Sequence, residues 1–378
     1  MKSVRPILLF LLLLFSLTEG QVVLRITSLP KDTPKNAKIY MASNLNGWNP
    51  KDSLYELKRD VDGSYTTLIP SNSGTVEYKF TLGSWETAEA NEKGNAIDNR
   101  TLIVSNKPST VLQAISSWQQ AKIRNNTVSP NVKILSENFA IPQLKTTRRI
   151  WIYLPQDYAN SDKRYPVVYM EDGQNLFNEA LSFAGEWKAD ETMDALADTG
   201  KQAIIVGIDN GGAERLNEYS PWENPKYGGG HGEHYADFLA QTLKPFIDKN
   251  YRTLPQPKNT ALVGSSMGGL ISFYTGLKYP QKFGKLGIFS PSFWFAKNDV
   301  LSYVRKNSKV IKKSKFYFLA GKKESAEMVS DIEDVVNEMV KKRISTSHIK
   351  VKIDDNGTHS EQYWSQEFGA AYLWLFAR

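Results

Sequence analysis

The chain has no cysteine and only four histidines. The first absence excludes disulfides, a thiolate nucleophile, zinc held by thiolates and a lipid-bearing cysteine behind the N-terminal segment. An exported chain without disulfides must rely on its hydrophobic core. With 378 residues, 41% of them hydrophobic, it has enough material for two domains. The scarcity of histidine confines imidazole chemistry to His231, His234, His348 and His359. Beyond residue 20 no apolar run is long enough to cross a bilayer, so no membrane contact is expected after that point. Internal repeats, low-complexity tracts and nucleic-acid motifs are lacking too, and neither a nucleic-acid partner nor a cofactor is expected. The net charge of +7 is spread along the chain and is densest at residues 306–315. That run reads as the solvated face of a helix. The excess favours anionic substrates or surfaces only weakly.

The first twenty residues stand apart. Lys2 and Arg5 precede an apolar stretch from Ile7 to Leu17, followed by Thr18-Glu19-Gly20. A charged start, an apolar middle and a small-residue cleavage site read as a secretory signal peptide over 1–20, and the apolar run is short for a membrane anchor. The expectation is an exported protein, periplasmic or secreted.

Residues 21–105 read as a small all-β sandwich. Segments 22–27, 37–42, 64–69, 75–81 and 101–104 alternate or are β-rich. Asn46-Gly47, Asp62-Gly63, Ser73-Gly74 and Gly94-Asn95 supply the turns between them. Asn46-Gly47-Trp48, Glu77-Tyr78-Lys79-Phe80, Trp85-Glu86 and Asn99-Arg100 occur in the order seen in starch-binding modules of the carbohydrate-binding family 20 type, which this region resembles. The resemblance implies that Trp48 and Trp85 form a platform for a glucan, with Lys79 beside it. The chemistry suits that role, since an aromatic face matches the C–H face of a sugar and a lysine can donate hydrogen bonds to it. Residues 106–131 are polar and read as a linker.

From 132 to 378 the pattern changes to alternating strands and helices. Strands are expected at 149–154, 166–170, 203–208, 261–264, 286–289, 315–320 and 349–353. Helices are expected at 189–199, 235–249, 269–278, 326–342 and 362–377. The inner strands are continuously apolar, as in a sheet covered on both faces. The fold class is therefore α/β, with a mostly parallel sheet in a three-layer sandwich whose ligands bind beyond the carboxyl ends of the strands.

Gly264-x-Ser266-x-Gly268 sits between an expected strand and an expected helix, the pattern of the α/β-hydrolase nucleophile elbow. The glycines leave room for a strained turn that lifts Ser266 clear of the sheet, with helix N–H groups facing the reacting oxygen. In that fold an acid and then a histidine follow the serine. His348 enters the last strand at the wrong end, whereas His359 leaves it at the edge that carries Ser266. Glu324, just after the strand 315–320, is the best-placed acid. Asp331 lies within a helix, and Asp354 and Asp355 fall in the wrong place in the order. The oxyanion donors are expected from the N–H of Met267 and, in the loop 171–177, that of Gln174. His231-Gly-Glu-His234 lacks the i, i+4 spacing of zinc hydrolases, and no metal is expected there.

Further stretches carry a second resemblance. They are Arg148-Arg149-Ile-Trp-Ile-Tyr-Leu-Pro155, Tyr165-Pro166-Val-Val-Tyr-Met, Asp172-Gly-Gln-Asn-Leu-Phe177, Glu186-Trp187, Gly207-Ile-Asp-Asn-Gly211 with Arg215, Glu218-Tyr219-Ser-Pro221 and Ser290-Pro-Ser-Phe-Trp294. Residues 132–378 resemble the esterase D-like family, which includes feruloyl and acetyl-xylan esterases of carbohydrate esterase family 1, siderophore esterases and mycolyltransferases. The resemblance implies a triad of Ser266, Glu324 and His359, with Trp187 and Trp294 bordering an acyl pocket. Three functions stay open. The first is an exported serine ester hydrolase acting on feruloyl or acetyl esters of carbohydrates, with a small molecule or a polysaccharide as substrate. The others are a siderophore trilactone esterase, and a glycan-binding protein with an inactive hydrolase domain.

Overall fold

The structure, a computed structural model, describes residues 22–70, 74–104, 107–119, 125–182 and 185–377. The expected signal peptide lies outside the described residues. The chain divides into two compact units, residues 1–123 and 124–378.

Alternation with period two builds the first unit. Val22, Leu24 and Ile26 from one strand and Val76, Tyr78 and Phe80 from another share a single core, while their neighbours in sequence face outward. One sheet orders Lys58–Arg59, Tyr65–Ile69, Val22–Ser28 and Ser109–Ala114. The other orders Tyr40–Ser43, Thr75–Thr81 and Arg100–Ile103, all antiparallel. Ser109–Ala114 runs parallel to Val22–Ser28, and Ser117–Trp118 pairs with Glu89–Ala90. Residues 109–118, which the sequence reading assigned to a linker, are thus strands of this unit. Ser109–Ala114 is largely exposed and mixes polar residues with apolar ones such as the exposed Leu112, so its composition alone resembles that of a connector.

The second unit is built on one sheet of eight strands: β1 (Val132–Ile141), β2 (Thr146–Tyr153), β3 (Val167–Glu171), β4 (Ile204–Ile208), β5 (Thr260–Ser265), β6 (Lys285–Phe289), β7 (Lys315–Gly321) and β8 (Ile349–Asp354). Their spatial order is β1-β2-β4-β3-β5-β6-β7-β8. The pairs from β4 to β8 are parallel, while β2 runs antiparallel to both its neighbours. The inner strands are buried at every position because both faces are covered. Val167, Tyr169, Val206 and Leu262 pack on one face, and Val168, Met170, Ile205 and Val263 on the other.

Helices close both faces. The helical stretch α2 runs Gly232–Phe238 and continues through a π-helical turn into Lys244–Asn250. It lies over the first face with α3 (Met267–Lys278), α4 (Lys297–Asn307) and α5 (Ala326–Lys341). In α5, Met328, Ile332, Val335 and Met339 recur at the helical spacing that makes one buried stripe. The short α1 (Ala189–Asp194) and α6 (Glu361–Phe376) cover the second face. Ser360 caps α6 by accepting the N–H of Tyr363.

Two elements differ from the sequence expectation. β1 is a half-exposed edge strand, and its polar residues mask the pattern. The basic run 306–315 is not a helix face but spans the end of α4, a turn and the first residue of β7.

Candidate active site

The carboxyl ends of β3, β5, β7 and β8 each hand the chain to one group of the site. After β5, Ser266 adopts φ 57°, ψ −125°, a conformation that costs a non-glycine residue about 1–3 kcal/mol. Neighbouring bonds hold it there. Its N–H donates to the Phe289 carbonyl (3.0 Å), and its own carbonyl accepts from the N–H of Leu270 (3.1 Å) and of Ser292 (3.0 Å). The two motif glycines are required by contact. A Cβ on Gly264 would stand 2.4 Å from the Gly268 carbonyl oxygen, and one on Gly268 3.1 Å from Asp172 Oδ2. Because α3 begins at Met267, directly behind the serine, the Met267 N–H belongs to the first turn and has no intrahelical acceptor.

After β7 comes Glu324, and after β8 comes His359. His359 Nδ1 lies 2.7 Å from Glu324 Oε2. The carboxylate is sealed, with a side chain 1% exposed, while the imidazole is 41% exposed and open on its other side. Glu324 Oε1 accepts two further bonds, from Ser290 Oγ (2.8 Å) and the Gly321 N–H (2.6 Å). Ser290 Oγ in turn accepts from Trp364 Nε1 (2.9 Å), and the Trp364 ring stands edge-on to the imidazole with centroids 5.0 Å apart. Gly321 and Gly357 let the acid and histidine loops meet, since a Cβ on Gly321 would fall 2.0 Å from the Gly357 carbonyl oxygen.

Ser266 and His359 line one open cleft of about 660 Å³ together with Gln174, which follows β3. The Ser266 hydroxyl is engaged sideways, with its Oγ 3.2 Å from Ser292 Oγ. Catalytic hydrogen bonds commonly tighten only when substrate is bound. Asp172, Arg215 and Glu361 also face the cleft. Arg215 forks onto Asp172 with bonds of 2.7 and 2.9 Å. Behind them Glu171 is buried beneath the elbow. Burial pushes its carboxyl up to about 8, and Tyr235 donates to it at 2.5 Å. Burial, then the charge of Asp172, also raises Glu361.

The expected pocket tryptophans do not reach this cleft. Trp187 is 2% exposed and packs among Phe289, Trp364 and Phe368 in the core beneath α6. Trp294 is 45% exposed and rests against Tyr227. The aromatic side chain that does line the cleft is Trp364. Neither it nor the roles of Ser290 and Ser292 follow from spacing in the sequence, although both serines stand in the Ser290-Pro-Ser-Phe-Trp294 stretch. Of the other histidines, His231 precedes the first turn of α2 and His234 lies within it. Neither joins a metal-ligating group among the described residues.

In the first unit Trp48 and Trp85 do come together. Their centroids are 6.3 Å apart, but the rings are tilted by 39° and do not form a flat surface. Lys79 donates to the Ile97 carbonyl at 2.5 Å, and burial lowers its pKa.

A family model described as "Putative esterase" matches residues 141–375. The uncharacterized protein YbbA of Bacillus subtilis (strain 168) is 26% identical over 244 residues, 61% of this chain and 93% of YbbA. An alpha-amylase of Niallia circulans is 39% identical over 93 residues, 24% of this chain and 7% of the amylase. An endo-1,4-beta-xylanase/feruloyl esterase of Xylanibacter ruminicola is 31% identical over 144 residues, 37% of this chain and 19% of that enzyme. Among solved structures, the enterobactin esterase FES from Shigella flexneri superposes with a TM-score of 0.52 at 15% identity, covering 90% of this chain and 88% of FES. At that identity the likeness concerns the fold.

Proposed function

The chain belongs to the Putative esterase family, and from that premise we propose that it is an exported serine hydrolase that removes feruloyl or acetyl groups from a carbohydrate. The observation that carries the chemistry is the sealed Glu324 carboxylate holding His359 at the mouth of the cleft that Ser266 also lines. Glu324 fixes the proton on Nδ1, so that Nε2 is the free base. His359 takes the Ser266 proton as Oγ attacks the ester carbonyl, and the negative charge collects on the oxygen facing the N–H groups of Met267 and Gln174. The protonated imidazole returns its proton to the leaving alcohol. Water activated by the same imidazole then releases the acid from the acyl-enzyme.

Two features support a carbohydrate as the alcohol. The Trp48–Trp85 pair offers aromatic surface to a sugar, and the N-terminal region shares its likeness with an alpha-amylase. The relative that carries the words feruloyl esterase supports the acyl group. The cleft itself suits a neutral ester better than a polyanionic chelate, because its lining carries the carboxyl groups of Asp172, Asp209 and Glu361 and one guanidinium, that of Arg215, which is paired with Asp172. The N-terminal residues from Lys2 to Gly20 support export.

The test is a substrate panel of methyl ferulate, acetylated xylan and a catecholate trilactone, run on the wild type and Ser266→Ala. Cleavage of the first two, lost in Ser266→Ala, is expected. Cleavage of the trilactone alone would replace the substrate reading with that of a siderophore esterase. No turnover of any ester would leave a glycan-binding protein.

A further inference from the structure

At the start of α1, away from the Ser266 chemistry, three carboxylates converge. Glu186, Asp190 and Glu191 each bring one oxygen within 4.8 Å of the others. Glu186 is 6% exposed and Asp190 is fully buried. Each is anchored through one oxygen only. Thr127 Oγ1 donates to Glu186 Oε1 (2.8 Å), and the Ser129 N–H donates to Asp190 Oδ2 (2.7 Å). Their second oxygens, Glu186 Oε2 and Asp190 Oδ1, and also Glu191 Oε2, are buried with no hydrogen-bond partner outside the cluster, where the Asp190 and Glu191 carboxyls meet each other. Three buried carboxylate oxygens turned toward one point repel one another and have each lost their water. A single carboxylate in that state would be an isolated defect, but three together describe a site that lacks its positive charge.

We propose that Glu186, Asp190 and Glu191 bind a divalent cation of the calcium type. The donors are all hard oxygen, with no imidazole or thiolate, which selects Ca²⁺ over zinc or copper. Oxygens that all lie within 4.8 Å of one another can share one Ca²⁺, at about 2.3–2.6 Å per bond. Three carboxylates supply part of a shell of about six to eight oxygens, and water completes it.

The position gives the cation a structural task. Thr127 and Ser129, which hold the outer oxygens, belong to the segment that leads into β1, so the ion ties that segment to α1. Trp187, between Glu186 and α1, packs on Trp364 with centroids 5.7 Å apart, and Trp364 backs His359. Fixing Glu186 therefore steadies the wall behind the imidazole.

The full chain, stripped with EDTA and dialysed, is titrated with TbCl₃ and then CaCl₂. Excitation of Trp187, which neighbours the site, should sensitise Tb³⁺ luminescence that Ca²⁺ displaces with saturation. The expected dissociation constant is about 1 mM or tighter, the range of extracellular calcium modules. Ca²⁺ should also raise the thermal midpoint of the stripped protein by a few degrees, and Mg²⁺ by less. Both effects should vanish in Asp190→Asn and in Glu191→Gln. Should one variant fail to fold, the other and the wild-type titration still decide. Absence of saturable binding in the wild type, or a Ca²⁺ response unchanged in a folded variant, would overturn the site. A higher midpoint in metal-free Asp190→Asn with no Ca²⁺ response in the wild type would show that the carboxyls share protons instead.

Discussion

Replacing Glu324 by glutamine exchanges one carboxylate oxygen for an NH₂ group and leaves the volume unchanged, yet it should remove most of the activity. The reason lies in how the amide must sit. The position of Oε1 receives two donors, Ser290 Oγ–H at 2.8 Å and the Gly321 N–H at 2.6 Å. If the NH₂ group took that place, the Gly321 N–H would face another donor and lose its partner, at a cost of about 1–3 kcal/mol. The amide oxygen therefore stays with Ser290 and Gly321, and the NH₂ group points at His359 Nδ1. A donor there turns Nδ1 into an acceptor and moves the imidazole proton to Nε2, the nitrogen meant to receive the Ser266 proton. In serine hydrolases generally, an acid-to-amide change of this kind lowers kcat by about 10⁴, equivalent to about 5.5 kcal/mol. The expectation is a fall of about 10³–10⁴ in kcat on p-nitrophenyl acetate with KM changed little, and an unfolding midpoint close to wild type. A loss of less than about tenfold would mean that Glu324 does not set the tautomer, and the triad would need another acid.

Two further perturbations probe the surroundings. Ser290→Ala removes a donor to Glu324 and leaves Trp364 Nε1 without its acceptor. It should cost about 1–3 kcal/mol in urea unfolding and lower kcat more than it raises KM; an unchanged midpoint would show that the relay is not structural. Glu171, held at about 8 by burial, is neutral in the folded protein below that pH, whereas the unfolded chain ionises it above its ordinary value of 4.5. The folded state therefore binds more protons in between. Stability from this group is fully present below pH 4.5 and is lost toward pH 8, at up to about 1.4 kcal/mol per pH unit. Glu171→Gln should flatten that decline, so that its advantage in urea midpoint over wild type grows from pH 5 to pH 8; equal slopes would refute the neutral carboxyl.

Much of the second unit was legible because its signals are local. A serine between glycines at a strand–helix junction is a steric requirement carried by five neighbouring residues, and the contacts of Gly264 and Gly268 show why no side chain is tolerated. The order in which Ser266, Glu324 and His359 follow their strands was also readable, since each lies beyond the carboxyl end of a β-patterned segment, continuously apolar or alternating. Where polar and apolar residues mixed, the signal failed. β1 and the strands at 109–118 look like connectors because one side of each meets water. The tryptophans, whose place at an acyl pocket was implied by the resemblance alone, lie off the cleft, because a family motif does not say which way a large side chain such as Trp187 points.

By itself the sequence pointed to ester hydrolysis, because the order of a serine, a carboxylate and a histidine along alternating strands is legible from residue identity and position. Tertiary structure decided everything that depends on distant segments meeting. Trp364 reaches Ser290 from 74 residues away, and Asn175 reaches Glu361 from 186 away. It also decided that Trp364 rather than Trp187 lines the cleft, and that three carboxylates near α1 share one buried point. No local pattern encodes such meetings; they arise when α6 and the loops pack on the sheet, where side-chain direction and burial are fixed by the whole chain at once.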